Sequence, residues 1–320
     1  MTTHSRRFTR RMFGAVVGLA LITAACGSDD ASNGAADTTS ASTATSAPAE
    51  TTVESGSAPS DAVEMRVVSL SPTHTEIMFA IGAGDQLVAI DEFSDYPAEA
   101  QQLPNDLSAF DNNVEAIAAY EPDLVLIGGD FNGLGSQLDE LGIAWWDGPA
   151  ALTLDDTYRQ IAELGAATGH SAEADTLVAE MQSDIDAIVA ATPTPPEALS
   201  FFHELDDTLF SVDSTTFIGE LYSLLGLRNI ADTAEGDSGG YPQLSAEFIV
   251  SADPDLIFLA DTKCCGQSLE TVAARPGWAD LTAVQTGNVI NLDDDVASRW
   301  GPRVVEFVQS VSDAVSNAAG

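Results

Sequence analysis

Short runs of branched apolar residues, bounded by polar turns, recur along the chain, and one arrangement of them occurs twice. Residues 114–130 carry a Glu near the start of a short helical stretch, then Pro-Asp-Leu, then an apolar run; residues 246–261 repeat this 132 positions later. Glu115 matches Glu247, Ile117 matches Ile249, and Pro122-Asp123-Leu124 matches Pro254-Asp255-Leu256. The apolar runs are too continuous for half-exposed strands and suit buried parallel ones. A fixed-offset echo predicts two similarly built halves.

The rest of the pattern alternates strand and helix. Residues 66–71 read as a buried first strand, followed by a helix over 75–81 with Thr73 as its cap and Gly82 and Gly84 ending it. A second strand at 87–90 leads into the polar loop 91–97, the region 103–113 ends in cap residues for the first repeat, and 141–147 supplies another strand. Residues 153–168 and 171–191 then read as two helices, and in the second Ala174, Leu177, Val178, Met181, Ile185 and Ile188 share one face. About 20 residues at 1.5 Å each make a rod of roughly 30 Å, closed by Pro193, Pro195 and Pro196. Beyond it come a strand at 198–203, a helix at 217–226, the second repeat, a helix near 269–274, a strand at 289–292 and a terminal helix over 302–317. The predicted fold is α/β: two parallel-sheet lobes, 65–152 and 197–320, joined by a rigid helical connection at 153–196, with a ligand cleft between the lobes. Because a continuous helix bends less readily than a loop hinge, closure of the cleft is expected to be small.

The amino terminus changes the picture of where this body works. Arg6, Arg7, Arg10 and Arg11 precede an apolar run, residues 12–25, that is too short to span a bilayer and ends at Ala24-Ala25-Cys26. Residues 1–26 resemble a bacterial lipoprotein signal in which Cys26 becomes the lipidated first residue; Thr9-Arg10-Arg11-Met12-Phe13 also resembles a twin-arginine signal. Residues 27–64, almost entirely Ser, Thr, Ala, Gly, Asp, Glu and Pro, are expected to form a flexible tether. The expected location is therefore the outer face of the cytoplasmic membrane, held by a lipid. The chain carries 11 basic and 50 acidic residues; beyond the leader 7 basic residues face all 50 acidic ones, a formal −43. Nucleic acid and anionic membrane surfaces are poor partners on that balance.

Candidate chemistry is sparse. No Gly-x-Ser-x-Gly, His-Glu-x-x-His, phosphate loop or paired CxxC occurs, so an enzyme is not expected. His74, His170 and His203 are the histidines beyond the leader. His74 follows the first strand and His203 ends a strand of the other lobe, so with Glu204 or Asp206 they form a transition-metal site across the cleft, or each is a hydrogen-bonded structural residue. Among the aromatics, loop context assigns Phe93, Phe110 and Tyr241 to cleft walls, suited to a large, partly apolar ligand, and Phe131 follows the first repeat's strand. Across the cleft, Lys263-Cys264-Cys265 follows the second repeat's strand. The two cysteines have three open readings: a disulfide, a soft-metal thiolate pair, or inert small residues. Glu115 and Glu247 sit where the helix dipole favours a carboxylate, which alone accounts for both.

Arg66-Val-Val-Ser-Leu-Ser-Pro-Thr-His-Thr-Glu76, Ser94-Asp-Tyr-Pro97, the paired Glu…Pro-Asp-Leu repeats, Tyr241-Pro-Gln-Leu-Ser245 and Gly301-Pro-Arg303 resemble the helical-backbone substrate-binding proteins of ABC importers for iron complexes and cobalamin. The resemblance runs from about residue 65 to the end and is closest to the cobalamin-binding members. It implies a ligand held between two lobes and delivered to a separate permease and ATPase, with no catalysis and no resident cofactor, the metal complex being cargo. It further implies corrinoid contacts at Phe93, Phe110 and Tyr241, an acidic contact at Asp295, and docking of the permease by Glu115 and Glu247. Lys263, Arg275, Arg299 and Arg303 are the cations near enough to meet an anionic chelate instead. A monomeric binding protein for a corrinoid or ferric siderophore-like chelate is the leading expectation. A receptor for bare zinc or manganese ions is the alternative, ahead of an enzyme or a structural surface lipoprotein.

Overall fold

The computed structural model describes residues 65–320 apart from 112, 235 and 237. The leader at 1–26 with Cys26, and the tether at 27–64, lie outside the described residues. The first lobe runs β1 (Val67–Leu70), α1 (Pro72–Ala80), β2 (Leu87–Ile90), α2 (Val114–Ala118), β3 (Leu124–Ile127), α3 (Leu134–Leu141) and β4 (Ala144–Asp147). Two connecting helices follow, α4 (Leu154–Thr168) and α5 (Ser171–Ala191). The second lobe contains β5 (Ser200–Glu204), α6 (Phe217–Leu224), β6 (Arg228–Asn229), α7 (Ala246–Ala252), β7 (Leu256–Leu259), α8 (Thr262–Cys265), α9 (Leu269–Ala273), α10 (Thr282–Thr286), β8 (Val289–Asn291), α11 (Asp294–Ser298) and α12 (Val304–Ala319).

The duplication expected from the repeats is present in the backbone. Both sheets have four parallel strands in the same order, β2-β1-β3-β4 and β6-β5-β7-β8. Parallel neighbours need crossovers, and the helices supply them. In each copy the residue two before the Pro-Asp pair's Asp is left-handed, Glu121 at φ 49° and Asp253 at φ 45°. The Asp then reaches back to the head of the neighbouring strand: Asp123 accepts from the Arg66 amide at 2.9 Å, and Asp255 from the Ser200 amide at 2.8 Å. Asn113 and Ser245 cap α2 and α7 by accepting from the amides of Ala116 and Phe248. The repeated residues thus build the same strand entrance twice.

Local signals set most boundaries. Thr153 and Asp156 form a reciprocal capping box at the start of α4, and Gly169 ends it in the left-handed region. α1 begins earlier than the sequence pattern suggests: Ser71 stands at the cap position and Pro72 opens the helix, because its fixed φ suits the first turn. Residues 141–143 are not strand; Leu141 closes α3, a helix the pattern did not reveal, and Gly142 turns the chain into β4.

The rod α5 packs between α4 and α12. One apolar core passes from Val67, Ile77 and Ile81 of the first lobe through Ile161, Met181 and Ile185 of the connecting helices to Phe201, Tyr222, Val308 and Val311 of the second. Smaller cores, around Val68 and Ile127 in one lobe and Ile257 and Trp278 in the other, cover the opposite sheet faces. Among the described residues no helix is long and apolar enough to cross a membrane.

A buried ion cluster adds to this packing. Glu76 of α1, almost wholly inaccessible, accepts from Arg299 Nη1 at 2.8 Å and from Arg303 Nε and Nη2 at 2.9 and 2.6 Å. Arg303 also lies 4.1 Å over the Tyr96 ring. Removing one member of such a cluster leaves the others uncompensated, so Glu76→Gln is expected to destabilise the protein by about 3–5 kcal/mol. Denaturant unfolding followed by far-ultraviolet circular dichroism measures this; a loss below about 1 kcal/mol would show that the cluster contributes little.

Candidate functional site

A cleft of about 400 Å³ opens where the first lobe's strand ends meet the α11 segment. Its floor comes from residues just past the strands: Ser71 after β1, Asp91 after β2, and Gly128 and Gly129 after β3. This is the place an open parallel sheet offers a ligand. Gly129 has φ 117°, a conformation closed to other residues, and it brings the chain tightly around the floor. Asp295, Arg299 and Trp300 close the other side.

Three phenylalanines, Phe93, Phe110 and Phe131, line this cleft while remaining 51, 75 and 82 % exposed. Phe93 and Phe110 meet edge to face with centroids 6.0 Å apart. Large apolar rings left in water around one concavity mark a surface that a flat apolar partner would cover.

The other expected site residues divide. Asp295 and Arg299 line the same cleft. Tyr241, although exposed, is not among its lining residues, and neither are Lys263, Cys264 and Cys265. The cysteine pair stands exposed on the helical turn α8 and is joined as a disulfide between adjacent residues, with Cα atoms 3.8 Å apart. Asp294 holds that turn, accepting from the amides of Thr262, Lys263 and Cys264 at 2.9, 2.9 and 3.0 Å.

His74 and His203 require correction. Both are fully buried, away from the cleft lining. His74 Nε2 donates to Gln160 Oε1 at 3.2 Å, the same oxygen that accepts from Trp300 Nε1 at 2.9 Å, and the ring packs edge-on to Trp146. His203 Nδ1 bonds to the Tyr222 hydroxyl at 2.8 Å. Burial depresses both, to about 4 and about 3, so they are neutral structural residues. No group of three or more His, Cys, Asp or Glu able to hold a metal ion occurs among the described residues.

The candidate cations are all engaged by protein carboxylates. Lys263 Nζ pairs with Asp293 and Asp295 at 2.8 and 2.7 Å. Arg275 forms a two-pronged pair with Glu204, at 2.6 and 2.5 Å, and lies 4.6 Å over the Trp278 ring. Arg299, besides Glu76, donates from Nη2 to Asp95 at 3.0 Å, Asp295 at 2.8 Å and the Phe93 carbonyl at 3.1 Å. Arg303 is committed to Glu76.

Two acids in this region titrate unusually. Asp91 is raised to about 6, chiefly by burial and further by Glu92, against the lowering effects of the Ser94 hydroxyl and Arg299. Asp261, at the end of the other lobe's sheet, is raised to about 7 by burial and by the adjacent Glu204 carboxylate, with Arg275 opposing. Sequence reasoning passed over Asp91 and Trp300. Asp91 carried a usable signal, since it is the first polar residue after β2.

Glu115 and Glu247 occupy matching exposed positions in the first turns of α2 and α7, and neither forms an ion pair among the described residues.

A family model described as periplasmic binding protein matches residues 67–296. The chain belongs to that family. A Bacillus subtilis protein named as an uncharacterised ABC transporter substrate-binding lipoprotein is 31% identical over 258 residues, covering 78% of this chain and 79% of that one. A Halobacterium salinarum protein named as cobalamin-binding is 31% identical over 263 residues, covering 80% and 71%. The solved periplasmic vitamin B12-binding protein of Vibrio cholerae superposes with a TM-score of 0.64 at 27% identity, over 79% of this chain and 97% of that one. The expected fold and family are thereby established, and the chain is a substrate-binding protein of the ABC-transporter type; the bare-metal alternative loses its histidines and its support.

Asp261 provides a stability test. Its folded value stands above the unfolded one, so its contribution is full below about pH 4 and is lost as pH rises through about 7. Asp261→Asn is expected to melt above the parent at about pH 8, with the gap closing toward about pH 4. The buried histidines act oppositely, losing stability as pH falls, but both proteins share them and the difference curve removes them. A difference that is flat across this range would show that Asp261 is not the titrating group.

Proposed function

We propose that this protein captures a corrinoid of the cobalamin kind at the phenylalanine-lined cleft and presents it to an ABC permease and its ATPase. It works as an extracytoplasmic monomer tethered by a lipid on Cys26. The observation that carries the reading is the ring of three exposed phenylalanines around one cavity at the strand ends. A cavity of about 400 Å³ takes the edge of a tetrapyrrole while leaving its periphery outside, and flat macrocycle faces suit aromatic walls. The relatives named as binding cobalamin or vitamin B12 support the same ligand class. The leader sequence and the lipoprotein name of the Bacillus subtilis relative support the anchor.

Absorbance titration with cyanocobalamin, alongside native mass spectrometry of the loaded protein, tests this. One corrinoid per chain is expected, and Phe110→Ala is expected to weaken binding about tenfold, since a truncated aromatic contact of this kind costs on the order of 1–2 kcal/mol. Binding of haemin or a ferric chelate with no response to cyanocobalamin would replace the corrinoid by that cargo.

Docking of the permease by Glu115 and Glu247 is supported by their matched, exposed and unpaired positions on the two lobes. With both changed to Arg, corrinoid uptake by cells is expected to fall to background while binding by the purified protein stays unchanged. Uptake at the parent rate would reduce the two carboxylates to helix-dipole partners.

A further inference from the structure

Asp91 is the floor residue of the cleft whose bonding is incomplete. It is 1 % exposed, its Oδ1 accepts from Ser94 Oγ at 2.5 Å, and its Oδ2 has no partner in the protein. A buried carboxylate oxygen without a donor is costly, and the residue that carries it lines the cleft, where a ligand would supply a donor.

The hydroxyls behind Asp91 show how it is tuned. Ser69 Oγ gives its proton to the Ser71 carbonyl at 3.2 Å, so Thr75 Oγ1 must donate to Ser69 Oγ at 2.9 Å. Thr75 and Ser94 are also in contact at 2.9 Å. Together with the Ser94 to Asp91 bond this makes four contacts for three hydroxyl protons. With Asp91 ionised, Ser94 donates to it and the Thr75–Ser94 contact has no proton. With Asp91 protonated on Oδ1, the carboxyl donates to Ser94, Ser94 donates to Thr75, and all four are made. Burial, the largest effect, and the nearby Glu92 also raise the carboxyl, while the bonds Ser94 donates to the ionised form and the charge of Arg299 lower it, leaving a value of about 6. The remaining charges on this side, Glu76, Asp95 and Asp295, are paired with Arg299.

We propose that Asp91 is the specificity-determining acceptor of the cleft: ionised, it takes an N–H or O–H donor from the ligand through Oδ2, favouring neutral, amide-fringed metal complexes over carboxylate-bearing ones. This rests on the reading of the cleft as the corrinoid site. The second half follows from the cations. Arg299 is the basic residue lining the cleft, its guanidinium already faces Glu76, Asp95 and Asp295, and Lys263, Arg275 and Arg303 are likewise paired. A propionate or carboxylate chelate would meet Asp91 and Asp295 with no uncommitted cation to offset them.

The test is titration of the whole mature protein with cyanocobalamin and, separately, with haemin between about pH 5 and about pH 8, a window that brackets the titration of Asp91. Parent affinity for cyanocobalamin is expected to fall about tenfold as pH drops through the Asp91 transition, since a charge-assisted bond to the ligand is lost. Asp91→Asn, checked for folding by its melting curve, is expected to bind about tenfold more weakly at the upper end, without that pH dependence and with no loss of haemin binding. If Asp91→Asn binds cyanocobalamin with the parent's affinity and pH profile, the acceptor role is wrong while the corrinoid reading stands. If the parent takes haemin and no corrinoid, that reading fails and the acceptor role falls with it.

Discussion

Two guanidiniums on one buried carboxylate hold the C-terminal segment of the chain across the first lobe, and the cleft exists because of that contact. Glu76 belongs to the helix leaving β1, whereas Arg299 and Arg303 flank the turn into α12. Once Arg299 is fixed by Glu76, its remaining nitrogen reaches the Phe93 carbonyl and Asp95, positioning the loop that carries the first aromatic wall. Trp300, next in sequence, reaches Gln160 and brings α4 and His74 into the same network. Asp295, one helical turn before Arg299, completes its neutralisation and faces the cleft. Floor, wall and far side are thus oriented from one anion.

Such economy of cations follows from composition. The chain beyond the leader has 7 basic residues against 50 acidic ones, so carboxylates far outnumber the cations that could pair with them. Where a carboxylate is buried, a cation accompanies it, as with Glu204 and Arg275 or Glu76 and Arg303; where the nearest cation is already committed to another carboxylate, burial raises the acid, as with Asp91 and Asp261. The cleft is left to aromatic rings, hydroxyls and acids.

What the sequence made legible was whatever depends on local or repeated chemistry. The apolar continuity of β3 and β7, the caps at Asn113, Thr153 and Ser245, the glycine after α4 and the echo of Pro-Asp-Leu all carry their reasons within a few residues. The phenylalanines of the loops were legible for the same reason, since polar neighbours leave such rings no local core to enter. His74 and His203 were not. A histidine at a strand end reads alike whether it turns toward a cleft or into a core, and the partners that decide, Gln160 and Tyr222, lie 86 and 19 positions away. Nor could the engagement of Arg299 be seen, because its partner Glu76 is 223 positions distant. Tyr241 is a different case: its loop context was right and the ring is exposed, but it is not among the residues that line the cavity.

The same constraint limits how the molecule can respond to cargo. A core that runs unbroken from β1 through α5 to α12, with an ion cluster tying α1 to the end of the chain, cannot hinge without opening apolar contacts and separating Glu76 from its arginines. Either change carries a cost that any closing motion has to meet. This continuity supports the expected small closing motion, and it leaves Phe93, Phe110 and Phe131 as the exposed apolar surface at the rim of the cleft. A partner that grips both lobes at fixed points would then distinguish loaded from empty by touching what fills the rim between those points.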